Sequence, residues 1–205
     1  MDGCFTITLK DFLTVLIQGG MFCVAIVALE TWRRQLQGTT KHQVALEIAT
    51  EVKALTYLFF EARSPWFEGW EFPDDYNLKP SRERTADDEV KAWEHVYNNR
   101  WKHLHPQILK VAQLRAKVGA VLGDNAADAA EKVARAAKKL EFWWGRDLEQ
   151  KSAGADAVAA RRDQNIVDEV RQSIVLADGT KNDKYSREFS SAADSLLALA
   201  QPHFK

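Results

Sequence analysis

The chain has 205 residues, and its 28 Lys and Arg against 29 Asp and Glu leave a net charge of −1. That balance gives no global field for a polyanion, so no nucleic-acid partner is expected. Only 5 Pro, 10 Gly and a 46% hydrophobic content exclude a collagenous or largely disordered chain, and 2 Cys exclude a disulfide scaffold or a four-cysteine zinc module.

The first element is apolar. From Phe12 to Leu29 the only ionisable side chain is Cys23. Eighteen residues at the rise of an α-helix cover about 27 Å, close to the hydrocarbon thickness of a bilayer. Residues 12–32 are therefore predicted to form a retained transmembrane helix, with residues 1–11 a short extracytoplasmic N-terminus. A buried core helix and a cleaved signal peptide are the alternatives. The signal-peptide pattern fits poorly, because Lys10 is the one early basic residue, the apolar run is long and Ile26-Val27-Ala28 is a poor cleavage site. Trp32 stands where an interfacial aromatic belongs, and Arg33 and Arg34 directly after it put the C-terminal side in the cytoplasm. One basic and two acidic residues precede Glu30, so 27 of each remain from there on. The lipid bilayer is thus a partner through the span alone, and no basic clamp onto anionic lipid is expected.

Within the span, Gln18, Phe22 and Ala25 share a side, with Gly19 and Cys23 next to it. Small residues beside a polar one let two membrane helices approach and exchange hydrogen bonds, so weak self-association is expected there. A lone tolerated glutamine in a monomeric anchor is the alternative. Cys4, outside the membrane, could form an intermolecular disulfide, whereas Cys23 at membrane depth reads as a small apolar filler.

Residues 33–205 are predicted to be an all-α cytoplasmic domain, a bundle of about five helices. Val44, Ile48, Val52, Leu55 and Phe59 recur at helical spacing, and Ser64-Pro65 ends that helix. Gly38-Thr39-Thr40 is either a break upstream or a soft spot in one long helix. Residues 64–88 form an aromatic, proline-rich loop in which Trp66, Phe67, Trp70 and Phe72 are candidate partner-docking residues; the ordinary use of such rings is to plug the end of a bundle. A second helix is predicted from a Thr85/Asp88 cap, with Val90, Trp93, Tyr97, Trp101, Leu104, Ile108, Val111, Leu114 or Arg115, Val118 and Leu122 as its stripe. Pro106 should kink it near His105, Gly123 should close it, and Asp124 or Asn125 should cap the next. Residues 126–151 present Val133, Leu140, Trp143 or Trp144 and Leu148, and residues 155–175 present Val158, Ile166, Val170 and Ile174. After a turn at 178–180, Phe189, Ala193, Leu196 and Leu197 line a last helix stopped by Pro202. No stretch alternates with the period of a strand.

Chemistry-bearing patterns are sparse. His103 and His105 diverge on a helix, and His95 and His103 are too far apart along it to share an ion, so no metal site is expected. Nucleophile elbows, P-loops and dinucleotide glycine patterns are absent, so neither catalysis nor a cofactor is expected. The acids at Asp74-Asp75 and Asp87-Asp88-Glu89 suit solvated or first-turn positions.

The stretch Thr31-Trp32-Arg33-Arg34-Gln35-Leu36-Gln37-Gly38 resembles a family of small, uncharacterised bacterial and phage single-pass membrane proteins. In that family a Trp-Arg-Arg-Gln-Leu-x-Gly juxtamembrane stretch precedes a long amphipathic helix and an Arg-x-Pro-aromatic turn. Here that turn reads Arg63-Ser64-Pro65-Trp66-Phe67, and Asn99-Arg100-Trp101-Lys102 and the helix from Phe189 to Pro202 extend the similarity. This chain has Glu47 and Glu51 where the family is more basic. The resemblance implies a bacterial cytoplasmic membrane and brings no activity with it. The functional expectation is a membrane-anchored helical interaction module that docks a protein partner or its own copies. A membrane-perturbing effector, for example in phage–host conflict, is the alternative.

Overall fold

The computed structural model describes residues 9–152, 164–175 and 183–204, and among these the chain is helical with no strand. Six α-helices follow in order: α1 (Leu9–Ala62), α2 (Asp74–Leu78), α3 (Ala86–Leu122), α4 (Asp124–Ser152), α5 (Gln164–Ile174) and α6 (Lys184–Ala200). Short 3₁₀ turns lie at Gly69–Glu71, Ser81–Glu83 and Gln201–His203. The expectations for Cys4, Val158 and the turn at 178–180 fall outside the described residues. The chain divides into two compact units, Met1–Gln43 and Val44–Lys205.

In the first unit every described side chain from Phe12 to Gln43 is exposed. Helix α1 passes through Gly38 unbroken. The threonines that follow do not compete with the helix. Thr39 and Thr40 donate their hydroxyls to the carbonyls of Gln35 and Leu36 at 2.9 Å each, so their polar atoms are spent on the helix's own backbone. Thr31 does the same toward Val27 at 2.8 Å, which removes one polar group from the end of the apolar run.

In the second unit the predicted stripe of α1 is the core. Val44, Ile48, Val52, Leu55 and Phe59 are each at most 1% exposed. They meet Val96, Leu104, Ile108, Val111 and Val118 of α3, Val133, Leu140 and Trp144 of α4, and Phe189, Ala193 and Leu196 of α6 in one cluster. Of the paired alternatives, Leu114 is buried and Arg115 exposed, and Trp144 is buried while Trp143 is half-buried. Alanines fill the α4 face. Ala126, Ala130, Ala134 and Ala137 are buried and allow close approach to α3, the most extensive contact among helices α3 to α6.

The caps follow the sequence with one correction. Thr85 and Asp88 form a reciprocal capping box: the Asp88 amide donates to Thr85 Oγ1 at 3.2 Å and the Thr85 amide to Asp88 Oδ2 at 2.7 Å. Helix α3 runs through Pro106 to Leu122, the full length of its predicted stripe. Pro106 and Lys102 are both exposed, so the carbonyl that Pro106 leaves without a donor lies on the solvent side. Neither Asp124 nor Asn125 caps α4; Asp124 is already in its first turn. Gly123 alone joins the two helices, donating to Gly119 O at 3.1 Å and accepting from the amides of Ala126 and Ala127 at 3.1 and 3.3 Å. Its φ of 95° and ψ of 171° belong to a region that only glycine enters freely.

Two phenols are built into this interior. Tyr97 donates to Asp147 Oδ2 at 2.6 Å and Tyr185 to the Ala136 carbonyl at 2.6 Å. Burial raises the pKa of both, and the Asp147 charge adds to the effect at Tyr97. A folded-state pKa above the unfolded value contributes stability that is complete below about pH 10 and is lost as the pH rises beyond it. Alkaline titration is therefore expected to show these two tyrosinates, followed by their ultraviolet absorbance, appearing only together with loss of the helical circular dichroism. Their ionisation with the fold intact would contradict the burial.

Candidate functional site

The anchor residues singled out in the sequence, Gln18, Gly19, Phe22, Cys23 and Ala25, are all exposed on α1. Trp32 is 59% exposed, and Arg33 and Arg34 follow it on the surface. Arg34 Nε lies 3.1 Å from Glu30 Oε1, one helical turn away, so the first acid after the apolar run carries its own counter-charge.

The four aromatics of the 64–88 loop divide into two pairs. Phe67 and Phe72 turn inward and meet the Trp93 ring edge-on, at centroid distances of 4.8 and 5.4 Å. Trp66 and Trp70 turn outward, 79% and 78% exposed. The plugging role thus belongs to the phenylalanines, and the indoles are left as surface.

Arg100 of α3 holds the backbone at the start of this segment. Its Nε donates to Glu71 Oε1 at 3.0 Å, Nη1 to the carbonyls of Ala62 and Ser64 at 3.1 and 3.0 Å, and Nη2 to the Trp66 carbonyl and Glu71 Oε2 at 2.9 and 2.8 Å. All five N–H groups of the guanidinium are used. Glu71 in turn accepts from the Glu68 amide at 3.2 Å, and the guanidinium lies 4.3 Å above the Phe67 ring. One side chain therefore fixes the backbone from Ala62 to Glu71. Arg100→Lys keeps the charge but cannot reach these acceptors in a fork. It is expected to cost about 2 kcal/mol through carbonyls and a largely buried Glu71 carboxylate that lose part of their donors, and to open the 64–72 backbone to limited proteolysis. Proteolysis as slow as in the parent would contradict the role given to Arg100.

Beside this segment lies a groove of about 410 Å³, lined by Trp66, Trp70, Glu61, Glu68, Asn99 and His103 among others. Among the described residues no three His, Cys, Asp or Glu side chains come together as a metal-ligand group.

A second arginine acts at the same end of α1, between the Ala62 and Ser64 residues whose carbonyls Arg100 holds. Arg63 is fully buried. Its Nε and Nη2 donate to the carbonyls of Ser173 and Gln172 at 2.9 and 2.8 Å, in the last turn of α5, where carbonyls lack helical donors. Nη1 donates to Ser186 Oγ at 2.6 Å and Nη2 to Asp183 Oδ1 at 3.0 Å, at the start of α6. Asp183 caps α6 through the Ser186 amide at 2.8 Å. Burial lowers the Arg63 pKa while Asp183 holds it up. Burial raises that of Asp183, but the hydrogen bonds from Ser186 and the Arg63 charge outweigh it and leave the carboxyl below its ordinary range.

Sequence reasoning gave neither arginine a role. The signal was their register. Arg63 follows Phe59 by four and Arg100 falls midway between Val96 and Leu104, each a charge in line with an apolar stripe. Through Arg100 the Arg63–Phe67 and Asn99–Lys102 stretches lie against each other. No protein-family model, curated protein or solved structure matches the chain.

Proposed function

We propose that the chain is a single-pass membrane protein whose helical bundle, from Val44 on, is a docking module at the cytoplasmic face. The observation that carries this is the exposure of the apolar run: the segment meets length and composition for a membrane span, and none of its apolar window is buried. A core helix would be covered by the rest of the fold, and an uncovered apolar surface of this extent calls for lipid. The Arg33-Arg34 pair supports a cytoplasmic C-terminal side, and the resemblance at residues 31–38 supports a bacterial inner membrane. Exposure of Gln18, Gly19 and Cys23 on one side supports weak pairing of anchors, with the Trp66/Trp70 surface as the place where a protein partner docks. We give the chain no catalytic role.

The test is a photo-cross-linking residue at position 66 or 70 of the full chain in native membranes, with position 142 as control, since Phe142 is also 60% exposed but lies outside the groove. A discrete protein adduct from 66 and 70 and none from 142 is expected. No adduct at the groove, or the same adducts at all three positions, would contradict the docking surface.

A further inference from the structure

The groove beside Trp66 and Trp70 has a chemistry that defines its occupant. The backbone around its indoles is held in place, because Arg100 bonds the carbonyls of Ser64 and Trp66 and, through Glu71, the amide of Glu68. Two large rings nearly four-fifths exposed on a fixed backbone form a contact surface with little left to order on binding. The charges around them have one sign. Glu71 is matched by Arg100 at 2.8 Å, and the five N–H groups of Arg100 are all spent within the protein, so that guanidinium has no donor to offer an incoming anion. Glu61 and Glu68 also line the groove and are exposed, and neither is in an ion pair among the described residues. Exposed indole faces next to two unmatched carboxylates attract cations and repel phosphate-bearing surfaces.

We infer that the groove docks a basic segment of a protein partner, with Lys or Arg heads over Trp66 and Trp70 and between Glu61 and Glu68. This rests on the docking reading above and adds the partner's charge. Arginine is favoured over lysine, because a guanidinium both stacks on an indole and forks onto a carboxylate. A lipid headgroup region is the other home for exposed indoles, and the acidic lining opposes it on an anionic membrane.

The experiment uses the full chain in phosphatidylcholine nanodiscs and fluorescein-labelled hexaarginine, with binding followed by anisotropy. Hexaarginine is expected to bind, hexalysine less tightly, and hexaglutamate not at all. Trp66→Ala with Trp70→Ala should weaken hexaarginine roughly tenfold. Glu61→Gln with Glu68→Gln should do the same, while Asp124→Asn with Asp128→Asn, which removes as much charge from α4, should leave binding unchanged. Equal losses in the Glu and Asp pairs would reduce the effect to net charge and overturn the inference, as would an unchanged affinity in the Trp pair. A third arm places the protein in phosphatidylserine nanodiscs with brominated acyl chains. Quenching that disappears in the Trp66/Trp70 variant would make lipid the occupant and overturn it too. Cross-links at 66 and 70 without hexaarginine binding would overturn the cationic partner alone and leave the docking surface standing.

Discussion

Arg63→Ala is expected to cost the folded state about 3–5 kcal/mol. The substitution leaves Asp183 nearly buried without its cation, and leaves the Gln172 and Ser173 carbonyls and Ser186 Oγ without their donor. Against a usual total of about 5–15 kcal/mol that is a large fraction, and it falls on the contact that holds the end of α5 and the start of α6 to α1. Arg63→Met with Asp183→Ser should recover part of the loss, because serine keeps a helix cap and no charge remains buried. Urea unfolding of the full chain in mild detergent, read by near-ultraviolet circular dichroism, measures both. An Arg63→Ala midpoint within error of the parent would show that the buried network contributes nothing net. The network also gives an acid limit. The Asp183 pKa is depressed in the fold, so its contribution is complete above the unfolded carboxyl value, about 3.9, and disappears as the pH falls through the lower folded value.

Phe59→Ala is expected to cost about 3–5 kcal/mol by the same assay. Phe59 is fully buried and stacks on Phe189 at 4.0 Å, with Tyr185 edge-on at 5.3 Å. Its ring also lies 5.4 Å below the Arg63 guanidinium. The cavity would sit between α1 and α6 and take away one wall of the arginine's site. The two substitutions share these neighbours, so Phe59→Ala should cost less in the Arg63→Ala background than in the parent. Strict additivity would mean that ring and guanidinium are independent.

Much of this fold was legible because helical periodicity encodes burial. The α1 stripe from Val44 to Phe59 and the α6 stripe of Phe189, Ala193 and Leu196 are buried as their spacing requires. The Thr85/Asp88 cap was legible for a similar reason, being a local pattern with a local partner. What spacing cannot encode is a partner far away in the chain. Phe67 and Phe72 find their partner in Trp93 and the Trp66 carbonyl is held by Arg100, 34 positions further on, so four candidate docking aromatics became two on the surface and two packed against the core. The cap of α4 was misjudged for a different reason. A glycine with positive φ can serve two helix ends at once. The apolar run from Phe12 to Leu29 was legible as length and composition alone, since composition says nothing of what covers it.

Retention of that span in a membrane is the claim on which the rest depends. The decisive measurement is the intact mass and carbonate resistance of the membrane-bound chain, with thiol labelling of a single cysteine placed after Phe204 in protein carrying Cys4→Ser and Cys23→Ala. The expected result is a chain that still contains Phe12–Leu29, stays in the carbonate pellet and is labelled only once the membrane is opened. A soluble chain that has lost those residues, or an intact chain released by carbonate, would contradict it.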